Sequence, residues 1–598
     1  MRAFLCLRSG EKGEHDTMFD IFKKLDWFFK EQWKRYSVAI LLLIISSVLE
    51  IVPPKLIGDT IDAIHRGQLT SDLLWQYTFI LVGITVVGYI TNYIWQYQLF
   101  GGSNILQYQL RQNLMRKFLR MAPPFYERNR TGDLMARSTN DLNAVSETAG
   151  YGIMTMLDSS FYLVTIILMM GFGVSWQLTL VAILPLPFLA YAMQIIGKKI
   201  HERFVEAQAA FGDMNDRVLE GIEGVRVVRA YVQERSMEAQ FKNMTQDVYD
   251  KNMRVERVDA LFAPISKILT ALSYMLGLGY GAYLVSQGVI TVGELITFNV
   301  YLGMVVWPMM AIGEMINVMQ RGNASADRVR ETLAEHEDVP DPEKPIDIEK
   351  PSNIVFDGVS FTYPTAKQTN LVDMDIRLER GETLGIVGKT GSGKTTVVKQ
   401  LLREYPLGEG NVALSDTKIQ LQSKEQVRKW IGYVPQEHIL FSRTVRENIL
   451  FGKPEATEEE LRAAIRMANF EEDLKRLPQG LETMVGEKGI SLSGGQKQRI
   501  SIARALIRNP EILILDDSLS AVDAKTESTI IHNIQALRND KTTLIITHRL
   551  SAVMHADRII VLEDGHVIEE GTHDELVRAG GWYSEQFALQ QIGGDGDV

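Results

Sequence analysis

Six apolar segments, near Ser37–Val52, Tyr77–Trp95, Tyr151–Val174, Leu178–Ile196, Leu261–Val285 and Gly293–Met315, fill the first half of the chain. Each approaches the ~20 residues that a helix needs to cross ~30 Å of hydrocarbon. A segment in lipid must satisfy its own backbone polar groups, which leaves only helices and closed barrels. Segments of this length predict an all-α membrane domain of six spans over residues 37–325. Beyond a linker over 326–350, short apolar strands alternate with polar helical stretches, and residues 351–598 read as an α/β domain.

Loop charge sets an orientation. Pro53 to Gln76 contains only Lys55 and Arg66 as basic residues, and the turns near Ser175 and Gln287 contain none. The connection between the second and third spans carries Arg111, Arg116, Lys117, Arg120, Arg128, Arg130 and Arg137, and that between the fourth and fifth is similarly basic. The positive-inside rule then puts both long connections and both termini in the cytoplasm of a bacterial-type cell, with the spans in its cytoplasmic membrane. Both connections are too helical in pattern to be slack loops, so the spans should continue past the bilayer as levers, turning near Phe125-Tyr126-Glu127 and near Gly221–Ala230.

Residues 1–17 are polar and read as a disordered or extraneous extension. Residues 18–36 mix Phe19, Ile21, Phe22, Leu25, Phe28 and Phe29 with Lys23, Lys24, Lys30 and Lys34, as an amphipathic helix on the membrane surface would, or a helix packed on protein. Cys6 is the sole cysteine, which excludes an internal disulfide and a thiolate metal cluster. A net charge of -11 with dispersed basic residues gives no reason to expect nucleic acid.

In the second half, Gly388-Lys389-Thr390-Gly391-Ser392-Gly393-Lys394-Thr395 follows the strand-like run Thr383–Val387 and fits G-x-x-x-x-G-K-[ST]. Its glycines let backbone N–H groups turn toward phosphate oxygens, Lys394 reaches the terminal phosphates, and the Thr395 hydroxyl suits Mg²⁺. A helix from about Thr396 adds its positive end. Three further strands deliver polar residues at their ends: Ile512–Asp516 ends on Asp516, Ile431–Pro435 leads to Gln436, and Thr543–Thr547 leads to His548. Phosphate chemistry collects at such strand ends.

These residues, with Leu492-Ser493-Gly494-Gly495-Gln496 and Ser520-Ala521-Val522-Asp523, resemble the full motif set of the ATP-binding cassette (ABC) family, in its order. Together with the six spans, the resemblance to ABC exporters runs from about Phe19 to the C-terminus. It implies a six-helix transmembrane domain followed by an α/β P-loop nucleotide-binding domain with a helical subdomain, using ATP and Mg²⁺. It assigns Tyr363 to stack on adenine, Gly388 to Thr396 to cradle phosphate, and Thr395, Asp516 and Gln436 to Mg²⁺. Gln436 also reaches the attacking water, and His548 the γ-phosphate. Val485–Gly489 resembles a segment that touches the levers. Ser493, Gly494, Gly495 and Gln496 are implied to press on ATP held by another cassette, so a second half-transporter is an implied partner.

The residue after Asp516 is Asp517, where the family usually carries the glutamate that polarises water. Aspartate is one methylene shorter, and a set-back of ~1 Å can cost ~100-fold in rate. The chain's own site should then be slow, as in the degenerate halves of bacterial heterodimeric multidrug exporters, which it resembles here. The alternative is a homodimer in which aspartate suffices. Asp158 in the third span, with Trp307 and Glu314 in the sixth, suggest a polar cavity for a lipophilic cation, although each could also serve packing. The expected function is ATP-driven efflux of lipophilic drugs; a lipid or lipopeptide translocator and an ATP-gated regulatory membrane protein are the rivals.

Overall fold

The computed structural model describes residues 19–486 and 492–594. The 1–17 extension with Cys6, and residues 487–489 of the expected lever-touching segment, lie outside the described residues. The chain divides into two compact units: one runs to Phe118 and resumes over Thr131–Glu335, and the other joins Leu119–Arg130 to the chain from His336 onward.

The first unit is helical. Among the described residues, six helices are long and apolar enough to cross a membrane: Trp33–His65, Ser71–Arg120, Thr131–Gly173, Trp176–Glu223, Glu234–Ser286 and Val292–Ala334. All extend beyond the apolar runs that announced them, and the last continues through Ala334, past the boundary expected at 325. Leu99, Leu106, Leu114, Leu142, Val145 and Met319 are fully buried in one apolar cluster. Leu99, Leu106 and Leu110 recur at the 3.6-residue period that gives a helix one apolar face.

Pro53-Pro54 looks like a helix end in sequence, yet the first long helix passes through both. The sixth helix covers the polar backbone there: the Tyr301 hydroxyl donates to the Ile51 carbonyl at 2.7 Å and the Thr297 hydroxyl to that of Pro54 at 3.1 Å. One turn on, the two backbones touch. A Cβ on Gly58 would stand 2.6 Å from the Gly293 carbonyl oxygen, so only glycine fits. Asp62 then accepts the Gly293 N–H at 2.8 Å, capping the sixth helix from its neighbour.

The expected helix over 18–36 is instead two short ones, Asp20–Lys24 and Asp26–Glu31. Ile21 and Phe28 are completely buried in the protein core and Leu25 nearly so. Lys24 donates to Asn323 and Asp327, each at 2.7 Å, which holds this segment to the sixth helix. The apolar face is therefore used on protein, and the exposed face keeps Lys23 and Phe19.

The second unit has two sheets. Strands β1 (Asn353–Phe361), β2 (Leu371–Glu379), β4 (Glu409–Leu414) and β5 (Thr417–Lys418) form an antiparallel sheet in the order β2-β1-β4-β5. Strands β3 (Thr383–Gly388), β6 (Ile431–Val434), β7 (Ile512–Asp516), β8 (Thr542–Ile546), β9 (Arg558–Glu563) and β10 (His566–Gly571) form the second, in the order β10-β9-β3-β8-β7-β6. Its pairings are parallel except for β9 with β10. Every residue of β7 and β8 is buried, which explains their near-continuous apolar sequence. Helices Val445–Leu450, Glu458–Met467 and Gly494–Leu506 share a further apolar cluster, the helical subdomain.

Candidate nucleotide-binding site

The carboxyl ends of β3, β6, β7 and β8 lie side by side in one sheet, so Gly388, Gln436, Asp516 and His548 converge by topology. Gly388, Gly391 and Gly393 have φ of 145°, 87° and 100°. A Cβ on Gly388 would meet the Leu562 carbonyl oxygen at 2.1 Å, and one on Gly393 that of Asn370 at 2.5 Å. The loop needs glycine for both its torsions and its close neighbours. The helix Lys394–Leu401 follows, starting two residues before the expected point.

Lys394 Nζ donates back to the Gly388 carbonyl at 2.8 Å and to the Lys389 carbonyl at 2.7 Å, so it lies across its own loop. Burial lowers its pKa, offset by Asp517 and Asp516. The buried Ser392 hydroxyl has no hydrogen-bond partner among the described residues. The Lys389 side chain points to Glu563, 2.6 Å away, leaving only its backbone in the loop, and Thr390 is exposed.

The Thr395 hydroxyl donates to Asp516 Oδ1 at 3.0 Å and the Tyr433 hydroxyl to Oδ2 at 3.2 Å. Asp516 is 1% exposed, and burial raises its pKa against those two bonds. A threonine hydroxyl and a carboxylate held together are hard oxygen donors of the kind Mg²⁺ takes, so these residues fit that ion. Beside them, Asp517 adopts φ of 47°, and its N–H donates to the Ile546 carbonyl at 2.7 Å. Its Oδ1 lies 2.8 Å from His548 Nδ1, and Gln436 Nε2 donates to Oδ2 at 3.4 Å. The structure therefore brings Asp517, His548 and Gln436 into one corner.

Tyr363 follows β1. Its hydroxyl donates to the Thr396 hydroxyl at 3.1 Å, and its ring meets Phe361 and Tyr405 edge-on at 5.0 and 4.9 Å. Ser493 caps the helix Gly494–Leu506: its hydroxyl accepts the Gln496 N–H, and Gln496 Oε1 accepts the Ser493 N–H. Gln496 also donates to Asp473 at 3.3 Å, so its side chain is turned into its own subdomain. The N–H groups of Gly494 and Gly495 have no hydrogen-bond partner among the described residues.

Two residues of this corner escaped the sequence reading. Tyr433 was legible in principle, since it lies three residues before Gln436 on β6, next to β7. Arg549 had no signal: it donates to the carbonyls of Ser520 and Val522 at 2.9 and 3.1 Å and pairs with buried Glu527, holding the loop after Asp517. In the membrane unit, Trp307 and Glu50 both lie near Asp158, and Glu50 accepts from the Tyr162 hydroxyl at 3.2 Å. Glu314 lies near Tyr151. Glu50 lies inside the first apolar run, where a lone carboxylate could have been noticed.

A glycine-rich phosphate loop, a strand-end aspartate with its threonine, a self-capped Ser-Gly-Gly-Gln helix and six spanning helices in one chain define an ABC exporter. The chain belongs to the ABC transporter family: the ABC transporter transmembrane region matches residues 36–309 and the ABC transporter model residues 371–520. It is 59% identical to the probable multidrug resistance ABC transporter protein YheI of Bacillus subtilis, over 96% of this chain and 98% of that one. Identity to the multidrug resistance-like protein MdlA of Escherichia coli is 42%, over 96% and 97%. A solved bacterial Atm1-family ABC exporter with ATP bound is similar with a TM-score of 0.77 at 25% identity, covering 94% of this chain and 99% of that chain. The protein is thus a multi-pass membrane transport ATPase of the ABC exporter type.

Proposed function

We propose that the chain is the slow half of a heterodimeric exporter of lipophilic cations in a bacterial cytoplasmic membrane, with both termini and the nucleotide-binding unit in the cytoplasm. The observation that carries the slow half is Asp517. Its short side chain, at a backbone φ of 47°, accepts from Gln436 at 3.4 Å and has Oδ1 2.8 Å from His548 Nδ1 without a hydrogen bond, and a glutamate would extend one methylene further toward a water.

In this reading the phosphate loop N–H groups and Lys394 bind the phosphates, Tyr363 stacks on adenine, and Thr395, Asp516 and Gln436 hold Mg²⁺. Bound Mg²⁺ neutralises charge developing on the transferred phosphoryl group. His548 meets the γ-phosphate, and Asp517 orients water weakly. The open Gly494 and Gly495 N–H groups, at the positive end of a helix, suit the ATP of a second half-transporter rather than this chain's own. That partner would supply the glutamate that this chain lacks.

The substrate reading rests on Glu50 and Asp158, two carboxylates within one membrane unit and each tied to an aromatic residue. Carboxylates among spanning helices are costly and suit a cationic guest, and Trp307 and Tyr162 offer ring faces to it. The basic residues of the long connections support the orientation. ATPase of the purified single chain tests the heterodimer: little turnover is expected, and vigorous turnover without a partner overturns it. Uptake of a fluorescent lipophilic cation into inverted vesicles tests the substrate class; transport of a labelled lipid instead would replace it.

A further inference from the structure

Tyr405 is nearly fully buried behind the phosphate loop and touches two functional elements at once. Its ring stands edge-on to Tyr363 with centroids 4.9 Å apart and planes at 84°. Its hydroxyl donates to Glu127 Oε1, on the short helix Pro123–Arg128. Lys399 Nζ lies over both rings, 5.3 Å from that of Tyr363 and 5.6 Å from that of Tyr405, and so ties the two together.

The short helix belongs to the nucleotide-binding unit by its contacts and to the spans by its chain. It lies in the Leu119–Arg130 segment, between the second long helix, Ser71–Arg120, and the third, Thr131–Gly173. Phe125 is completely buried, and Arg128 grips Asp338 with two bonds of 3.0 and 3.1 Å. Those two contacts anchor the helix in this unit. The Glu127 bond differs, because its donor leans on a ring that must settle against adenine. Burial, with Glu127 second, pushes the Tyr405 hydroxyl's pKa up, so it remains a donor at any physiological pH.

We propose that Tyr405 and Glu127 are a positioning pair through which adenine stacking on Tyr363 is felt by the second and third long helices, a route separate from Gln436. This rests on the reading of Tyr363 as the adenine stacker, and that reading has its own check: Tyr363→Ala must weaken ATP binding. Edge-on aromatic pairs have a preferred geometry, so a shift of one ring displaces the other. A charge-assisted hydrogen bond passes that displacement to the helix.

The test uses the complete transporter with its partner chain. A fluorophore is placed on Arg130→Cys in a Cys6→Ser background, and ATP is titrated with and without Tyr405→Phe, Glu127→Gln and the double substitution. If the pair carries the coupling, each single variant keeps the ATP midpoint within about twofold while the probe's response falls at least about threefold, and the double falls no further. A purely structural bond would lower Tm and leave the response intact. A full response in both single variants overturns the proposal, as does additive loss in the double, or a wild type whose probe is silent to ATP. Glu127 is exposed, so Glu127→Gln keeps the test valid even if Tyr405→Phe fails to fold.

Discussion

Two helix N-termini in the nucleotide-binding unit are built from similar residues and finished differently. The helix Lys394–Leu401 starts on Gly393, in the left-handed region and without a side-chain cap, and the ammonium of Lys394 lies across the loop before it. The helix Gly494–Leu506 starts on Ser493, whose side chain and that of Gln496 close a capping box. Both present backbone donors and a positive dipole end. The first sits beside Asp516, with hydroxyl, carboxylate and cation in place. The second has open glycine donors, and the nearby Arg499 guanidinium is paired with Asp473 at 2.8 Å rather than laid across the helix start. In the proposed reading, the first is a phosphate site of this chain and the second is half of a site that another chain completes.

The comparison breaks first at Lys394. Lys394→Ala removes the ammonium that lies across the phosphate loop and should weaken ATP binding by up to about 100-fold, since a charge-assisted contact to phosphate is worth up to ~3 kcal/mol. Titration of a fluorescent ATP analogue reads it, and affinity within a few-fold of wild type would show that the loop's amides suffice. Gly494→Glu should do the reverse. Own-site affinity should be unchanged, but transporter turnover should fall by ~100-fold, as when a donor to developing charge is removed. Weakened binding at this chain's own site would mean that the second terminus serves its own ATP after all. Asp517→Glu changes only the carboxylate beside the first terminus and should raise its turnover about tenfold in single-turnover hydrolysis, short of the full ~100-fold cost of misplacement.

How much of this was legible follows from where each residue's partner lies in sequence. The phosphate loop, Asp516, Gln436 and His548 could be read because a buried parallel strand is a continuous apolar run and its end is marked by the first polar residue. The six spans could be read as runs of bilayer length, but not their full extent. Ser71–Arg120 continues through polar residues that hydropathy discards, and the first helix runs on through Pro53-Pro54, where hydroxyls of the sixth helix meet the Ile51 and Pro54 carbonyls. Residues 18–36 carried the pattern of a membrane-surface helix, and tertiary burial of Ile21 and Phe28 decided their use. Tyr405 with Glu127, Arg549 with Ser520 and Val522, and Glu50 with Tyr162 depend on approaches between distant segments, which no local pattern records.

The smallest effect separates the two tasks of Ser493. Its hydroxyl is both the cap of its own helix and, in the proposed dimer, a donor to the partner's ATP. Ser493→Ala loses the cap at a cost of about 1 kcal/mol, read as a small fall in the Tm of the purified chain. It keeps the Gly494 and Gly495 amides, so turnover with the partner should fall only a few-fold, in keeping with the ~1 kcal/mol of one neutral hydrogen bond. Ser493→Asp preserves the cap, because aspartate is as good at that position, and leaves Tm unchanged. It also places a carboxylate where a phosphate is to lie, so turnover should fall further than in Ser493→Ala despite the intact helix. If instead turnover follows Tm across the two variants, the second terminus acts only through its own stability, and the contrast with the phosphate loop reduces to a difference in capping.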